Sequence, residues 1–98
     1  MFSERMKELR EANHWEQTAL AAKLGVSKQS VSNWENNNIL PSIEMLLKIC
    51  NVFSTSADYL LGLDDKVQLD VSEIPMEYVA HIQAIIKALP KKTQEKED

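Results

Sequence analysis

The chain has 98 residues, of which 44% are hydrophobic and 27% are charged, and its formal net charge is −4 at pH 7. This composition is typical of one soluble globular domain. The single cysteine excludes an internal disulfide, and no apolar run approaches the roughly 18 residues that a bilayer span needs. We therefore expect a cytoplasmic protein, and the negative charge argues against a polybasic nucleic-acid binder.

The acidic excess lies mainly in the last third of the chain. Residues 1–63 carry six Lys or Arg against seven acids, whereas residues 64–98 carry five Lys against eight acids. The negative charge is therefore a weaker argument against nucleic-acid binding for the N-terminal part alone.

The first predicted helix begins near Ser3, a good N-cap residue, and Glu4 falls in its first turn, where the helix dipole favours an anion. Its apolar stripe consists of Phe2, Met6 and Leu9. The charged side chains between these positions are expected on the outer surface of the helix.

Residues 17–36, QTALAAKLGVSKQSVSNWEN, divide into two short helical patterns on either side of Gly25. A glycine adopts a left-handed conformation at little cost, so the chain can reverse there. The apolar positions give each helix one inner face, and these faces can share a small core. They are Leu20, Ala21 and Leu24 in the first helix, Val31 and Trp34 in the second.

The second of these helices is predicted to begin after Ser27, a good N-cap, and to expose an acid-free polar surface. We call this surface the recognition face; it consists of Lys28, Gln29, Ser30, Ser32 and Asn33. Gln and Asn pair bidentately with adenine, and Lys reaches guanine acceptors or phosphate. The alternative is an ordinary solvated surface, but amides at the start of a helix after a tight turn favour base contact.

A fourth helix is predicted after Pro41, with Ser42 as its N-cap, and a short fifth helix is predicted between Ser56 and Gly62. Three asparagines, residues 36–38, follow the core positions of the preceding helix. The inner stripe of the fourth helix is predicted from the spacing i, i+3, i+4 and i+7. It consists of Ile43, Leu46, Leu47 and Cys50, with Phe53 beyond.

The ordered set LR, Q…LA…LGVS, WE, LPS and DYLLG resembles the lambda-repressor/Cro-type helix-turn-helix family over residues 1–63. The resemblance implies an all-α, five-helix DNA-binding domain. Glu16 stands where this family usually has Ser or Thr, so the start of the second helix is expected to be poorly capped.

The resemblance also implies roles for individual residues. The DNA-contacting positions of the family correspond to Gln17, Lys28, Gln29, Ser30 and Asn33, and Gln17 would contact phosphate. Asn37 stands where the family commonly has glycine, so the third helix is expected to end in a left-handed residue there. Independently of the resemblance, Asn36, Asn37 and Asn38 could add donors to phosphate. Arg10 and Glu35 match an ion pair of the family, the alternative being two solvated charges, and Trp15 and Trp34 match core residues rather than stacking platforms.

Beyond the five helices, residues 64–71 are predicted to form a linker in which Val67, Leu69 and Val71 alternate with polar residues. A short strand is the alternative. A last helix is predicted over residues 72–89, capped by Ser72, and a disordered tail over residues 90–98. The helix carries a broad apolar face that we expect to form a homodimer. This face consists of Tyr78, Val79, Ile82, Ile85, Ile86 and Leu89.

No catalytic arrangement, metal-ligand spacing or phosphate-binding loop is found in the sequence, so we expect neither an enzyme nor a metal or other cofactor. The 35 residues after the five helices are too few for an effector domain, so no small-molecule ligand is expected. The sequence predicts a sequence-specific regulator of transcription, a repressor acting as a homodimer on double-stranded DNA. The alternative is a protein-interaction module such as an antitoxin or accessory subunit.

Overall fold

A computed structural model describes residues 1–92, which form six α-helices and no strand. The helices are α1 (Phe2–Ala12), α2 (Gln17–Leu24), α3 (Lys28–Asn36), α4 (Ile43–Phe53), α5 (Ala57–Leu60) and α6 (Met76–Ala88). The all-α prediction is confirmed.

Three helices begin where a serine supplies an N-cap, as the sequence predicts. The side chains of Ser27, Ser42 and Ser56 each accept a hydrogen bond from the backbone N–H three residues later, at 3.1 Å. Each bond satisfies one of the free N–H groups of a first turn. Glu16 precedes α2 without a side-chain capping bond, as expected.

The core lies among α1 to α5, and every buried hydrophobic side chain of residues 1–92 lies between Phe2 and Leu60. Trp34 is 8% exposed and belongs to this core, while the ring of Trp15 stacks on that of Phe53 with centroids 5.6 Å apart. Both tryptophans therefore pack within the domain, which leaves neither ring as a platform for bases. The hydrophobic residues of this core with no exposed surface are Met6, Leu20, Leu24, Val31, Ile49 and Leu60.

Two predictions about helix ends are wrong by one or two residues. Helix α1 begins at Phe2 and has no side-chain cap, because Ser3 is buried and its hydroxyl donates to the Trp34 carbonyl at 2.6 Å. After α3, Asn37 keeps a negative φ of −115°, and the left-handed residue is Asn38, with φ of 55°. The chain reverses one residue later than the asparagine pattern suggested.

The predicted inner stripe of α4 is wrong in part. Phe53 is buried, and Leu46 and Cys50 are partly buried beside the core, as predicted. Ile43 is 78% exposed and Leu47 is 60% exposed, whereas Ile49, which the predicted stripe did not include, is buried. The apolar residues of α4 cover one broad side of the helix, wider than a single stripe. Only packing against the other helices selects the stripe that includes Ile49.

The last helix begins at Met76 rather than after Ser72, and it ends at Ala88. Asp70 Oδ1 accepts hydrogen bonds from the backbone N–H of Ser72 at 2.9 Å and from its hydroxyl at 2.6 Å, so this serine closes a turn instead of capping a helix. Ile74 precedes Pro75, and a residue before proline avoids the helical conformation. These two constraints delay the start of the helix by three residues.

The linker lies against α6. Its alternating side chains, Val67, Leu69 and Val71, line a groove of about 280 Å³ together with Val79, Ile82, Gln83 and Ile86 of the helix. Residues 64–71 form no strand, so the alternative of a short strand is wrong, and the alternating side chains line this groove instead. Helix α6 has no buried residue. The predicted disordered tail begins at Pro90, and its residues 93–98 lie outside the described part of the chain.

A buried ion pair joins α1 to the end of α3. Arg10 Nε donates to Glu35 Oε2 at 2.8 Å and Arg10 Nη2 donates to Glu35 Oε1 at 3.1 Å, a bidentate geometry. The Glu35 side chain has no exposed surface, and that of Arg10 is 10% exposed. The hydrogen bond to Glu35 raises the pKa of Arg10 above its ordinary value. The pair is buried, so the alternative of two solvated charges is excluded.

Replacing Glu35 tests the weight of this pair. Glu35→Ala leaves the Arg10 guanidinium buried without its anion, which costs about 3–5 kcal/mol of unfolding free energy. Urea unfolding measures the loss, and Glu8→Ala, which removes an exposed acid of α1, serves as the control and changes stability by less than about 0.5 kcal/mol. A loss below about 1 kcal/mol for Glu35→Ala would show that the pair behaves as a surface pair.

Candidate nucleic-acid interface

The turn between α2 and α3 is held by backbone geometry that Gly25 makes possible. Gly25 has φ of 73°, a left-handed conformation that a glycine adopts at little cost. The N–H of Val26 then donates to the Ala21 carbonyl at 2.9 Å, and Lys48 Nζ donates to the Leu24 carbonyl at 3.2 Å. Carbonyl groups at the end of α2 thus accept hydrogen bonds from the turn and from α4, and these bonds fix the direction in which α3 leaves the turn.

The recognition face begins directly after this turn. The Ser27 side chain caps α3 through the Ser30 N–H, and the two hydroxyl oxygens lie 3.1 Å apart. Lys28 and Gln29 are exposed, and the first turn contains no acid. The positive end of the helix dipole and the Lys28 ammonium therefore favour an approaching anion here.

Three amide side chains form a row along α3, which we call the amide row. Gln29 Nε2 donates to Asn33 Oδ1 at 3.0 Å, and Asn37 Nδ2 donates to the same oxygen at 2.8 Å. Both lone pairs of Asn33 Oδ1 are used, whereas Gln29 keeps its carbonyl and one N–H free of partners among residues 1–92. Gln29 can thus offer an acceptor and a donor to a base edge without leaving the row.

The other predicted contact residues surround this row. Ser32 accepts from Asn36 Nδ2 at 3.3 Å, and Asn38 Oδ1 lies 3.3 Å from the Ser3 hydroxyl. Asn37 and Asn38 are exposed at the end of α3. The structure therefore groups Lys28, Ser30, Ser32 and the asparagines along one helix and the loop that follows it.

Gln17 joins the interface through a link that the sequence analysis missed. Its Nε2 donates to Glu35 Oε1 at 3.0 Å, the same oxygen that Arg10 Nη2 contacts. Glu35 is the only acid of residues 17–36, and it is buried and paired. The helix-turn-helix therefore exposes no negative charge of its own. The amide row was not predicted either, although its spacing could have revealed it, because residues four apart, such as 29, 33 and 37, are neighbours on a helix.

The described residues give no support for a metal site, a reactive thiol or a membrane span. Residues 1–92 hold no group of three or more His, Cys, Asp or Glu side chains arranged to bind a metal ion. Burial raises the pKa of the Cys50 thiol, which makes it a poorer nucleophile at neutral pH. No helix of this part of the chain combines the length and apolarity needed to cross a membrane.

Comparison with known proteins identifies the helix-turn-helix. The pattern that defines the helix-turn-helix family HTH_3 matches residues 6–60. The chain belongs to this lambda-repressor/Cro-type family. Its members are DNA-binding regulators of transcription and not enzymes.

Transcriptional regulators and an antitoxin are similar to the chain. ImmR, a transcriptional regulator of Bacillus subtilis (strain 168), is 38% identical over 61 residues, which are 62% of this chain and 48% of that protein. YobD, an uncharacterized regulator of the same strain, is 32% identical over 65 residues, 66% of this chain and 58% of that protein. Antitoxin HipB of Escherichia coli (strain K12) is 33% identical over 63 residues, 54% of this chain and 72% of that protein. The chain thus spans about half the length of ImmR and YobD.

Two solved structures extend the similarity. The P22 c2 repressor in complex with a synthetic operator is 34% identical, with a TM-score of 0.62 over 65% of this chain and 97% of that chain. The complex of the SinR and SinI proteins is 28% identical to the chain, with a TM-score of 0.60 over 93% of this chain and 84% of that chain. The second match extends beyond the five-helix domain.

Removing the N-cap of α3 tests how much Ser27 stabilises the first turn of that helix. Ser27→Ala leaves the Ser30 N–H without its acceptor and should lower the unfolding free energy by about 1 kcal/mol. Chemical denaturation measures the change. Ser32→Ala removes a partly exposed hydroxyl of the same helix and provides the matched control. Equal stability of the two variants would contradict the capping role of Ser27.

Proposed function

We propose that the chain regulates transcription, as a repressor, by binding a two-fold operator as a homodimer with α3 in the major groove. The observation that carries the proposal is the acid-free recognition face at the start of α3, next to a helix-turn-helix whose only acid is buried. An α-helix fits the major groove, where each base pair presents a distinct pattern of donors and acceptors.

Gln29 is the main base-reading residue of this proposal. Its free carbonyl and N–H match the N6 donor and N7 acceptor of adenine. Asn33 holds the Gln29 amide through its Oδ1 and still has its own N–H groups to donate to a base. Lys28 reaches a guanine or a phosphate, and Ser30 and Ser32 add shorter contacts.

Phosphate contacts at both ends of the motif would fix the orientation of α3. Gln17 has one amide hydrogen on Glu35 and a second hydrogen for a phosphate oxygen. Asn37 and Asn38 lie exposed at the opposite end, where their amides can reach the backbone of the duplex. The operator complex of the P22 c2 repressor, which is similar to the chain over the five helices, supports this mode of binding.

Dimer formation would use the apolar face of α6. Tyr78, Ile85, Ile86 and Leu89 are each more than half exposed, while Val79 and Ile82 are half-buried against the linker. Burying one such aliphatic side chain contributes about 1.5–3 kcal/mol, so several from each copy outweigh the cost of association. A two-fold dimer also places two recognition helices on half-sites about one helical turn apart.

A second function is favoured by two of the comparisons. The similarity to antitoxin HipB and to the SinR/SinI complex supports a role in which the chain holds a different protein, as an antitoxin or accessory subunit. Co-purification of a second chain would favour this role, whereas a specific footprint by the isolated protein favours the first. In either role the chain would act in the cytoplasm.

Substitutions in the amide row test the base-reading role. Gln29→Ala or Asn33→Ala should weaken binding to the preferred duplex by about 1–3 kcal/mol, because the contacts to a base edge are lost. Fluorescence anisotropy with labelled duplexes measures the affinities. Binding to an unrelated duplex, which depends on phosphate contacts, should hardly change. If both variants bind the preferred duplex like the parent, this surface does not read the bases.

Charges placed on α6 test the dimer. Ile85→Asp combined with Leu89→Asp alters side chains that are already exposed, so the five-helix domain should stay folded while the protein sediments as a monomer. Operator affinity should fall sharply because two half-sites are no longer bound together. Ala84→Asp places the same charge on the opposite side of α6 and should leave the dimer intact. A wild-type protein that sediments as a monomer at tens of micromolar would overturn the dimer proposal.

A further inference from the structure

The start of the linker is clamped to the five-helix domain by one side chain of α1. Arg5 Nη1 donates to the carbonyl oxygens of Tyr59 and Asp64, the latter at 2.8 Å, and Arg5 Nη2 donates to Asp65 Oδ1 at 2.8 Å. Its guanidinium carbon lies 4.3 Å from the centre of the Tyr59 ring. The Arg5 side chain is only 15% exposed although it carries a charge.

The planar guanidinium is suited to this clamp. It donates to a carbonyl at the end of α5 and to a carbonyl of the linker at once, while its flat surface stacks on an aromatic ring. The Asp65 side chain is 94% exposed, so its ion pair contributes little. The two backbone carbonyls and the Tyr59 ring are therefore the contacts that hold the linker.

Beyond the clamp, the linker has little freedom. Asp64 Oδ1 accepts from the Lys66 N–H at 3.0 Å, and Asp70 Oδ1 accepts from the Ser72 N–H at 2.9 Å, so a turn closes each end. The segment between these turns, residues 66–70, spans at most about 18 Å when fully extended. One end of this short segment is held by Arg5, and its apolar side chains line a groove together with α6, so the segment limits how far α6 can move relative to the domain.

We propose that Arg5 is a positioning residue that sets the spacing between the two half-sites of the operator. This inference rests on the homodimer of the proposed function. Each base pair added between the half-sites moves one of them by roughly 3.4 Å and rotates it by roughly 35° about the duplex. In a dimer held together by α6, a restricted direction between each domain and its α6 lowers the affinity for an operator with altered spacing. When the clamp is released, each domain can move relative to α6, and the altered spacing costs less affinity.

The test measures the DNA affinities of the wild type and of three variants, Arg5→Met, Arg5→Lys and Lys7→Met. Each protein is titrated with the preferred inverted repeat and with duplexes that have one or two base pairs inserted or deleted at its centre. Met keeps the length of the side chain without its donors, and Lys keeps the charge near Tyr59 without the planar fork. Lys7→Met removes an exposed cation from the same helix and is the matched control.

Wild type and Lys7→Met should lose about tenfold in affinity for one inserted base pair, whereas Arg5→Met should lose less than about threefold. The loss for Arg5→Lys should lie between these values. If the circular dichroism spectrum of Arg5→Met shows an unfolded protein, the spacing profile of Arg5→Lys is compared with that of the wild type instead. A spacing profile of the folded Arg5 variants identical to that of the wild type would overturn the proposal. An equal loss on every duplex would overturn it too, because that pattern belongs to a phosphate contact. A wild type that prefers no inverted repeat would overturn the proposed function itself, and the role of Arg5 with it.

Discussion

The architecture of the helix-turn-helix depends on one buried carboxylate. Glu35 lies at the end of the recognition helix with no exposed surface, and it accepts hydrogen bonds from Arg10 on α1 and Gln17 on α2. A buried charge is tolerated only when it is paired and hydrogen-bonded. Three helices must therefore meet at this point for the carboxylate to be satisfied. The pair removes the only acid of residues 17–36 from the surface and fixes α3 relative to both neighbours.

The two sides of α3 have different roles, because the inner side anchors the helix and the outer side carries the polar groups. Val31 and Trp34 anchor the inner side of α3 in the core, and Ser27 closes its first turn. The outer side keeps neutral amides whose hydrogen bonds to one another hold them in one arrangement before a ligand arrives. An interaction surface that is already ordered loses less conformational entropy on binding. A chain with net charge −4 has little general attraction for DNA, so the affinity in our account must come from specific contacts.

Local signals in the sequence predicted most of the fold and of the candidate site. Serine caps and the left-handed Gly25 act within a few residues of the chain, so their effects can be predicted without knowledge of the packing. The Arg10–Glu35 pair was predicted through family resemblance. Where two local rules compete, the sequence is insufficient: Ser72 offered a cap, but the turn at Asp70 and the proline that follows delayed α6.

The inner stripe of α4 was only partly predicted for a different reason, because the apolar side of that helix is broad and only tertiary contacts decide which part of it is buried. The link from Gln17 to Glu35 and the clamp of Arg5 on the linker join residues far apart in the chain. No pattern within a short window signals contacts of this kind.

Titration of the isotope-labelled protein with its preferred duplex, followed by NMR, tests most directly whether the chain binds DNA through α3 and the start of α2. The largest chemical-shift changes should fall on the side-chain amides of Gln17, Gln29 and Asn33 and on the backbone of the first two turns of α3. Changes that cluster on α6 and leave these amides unmoved would contradict this mode of binding.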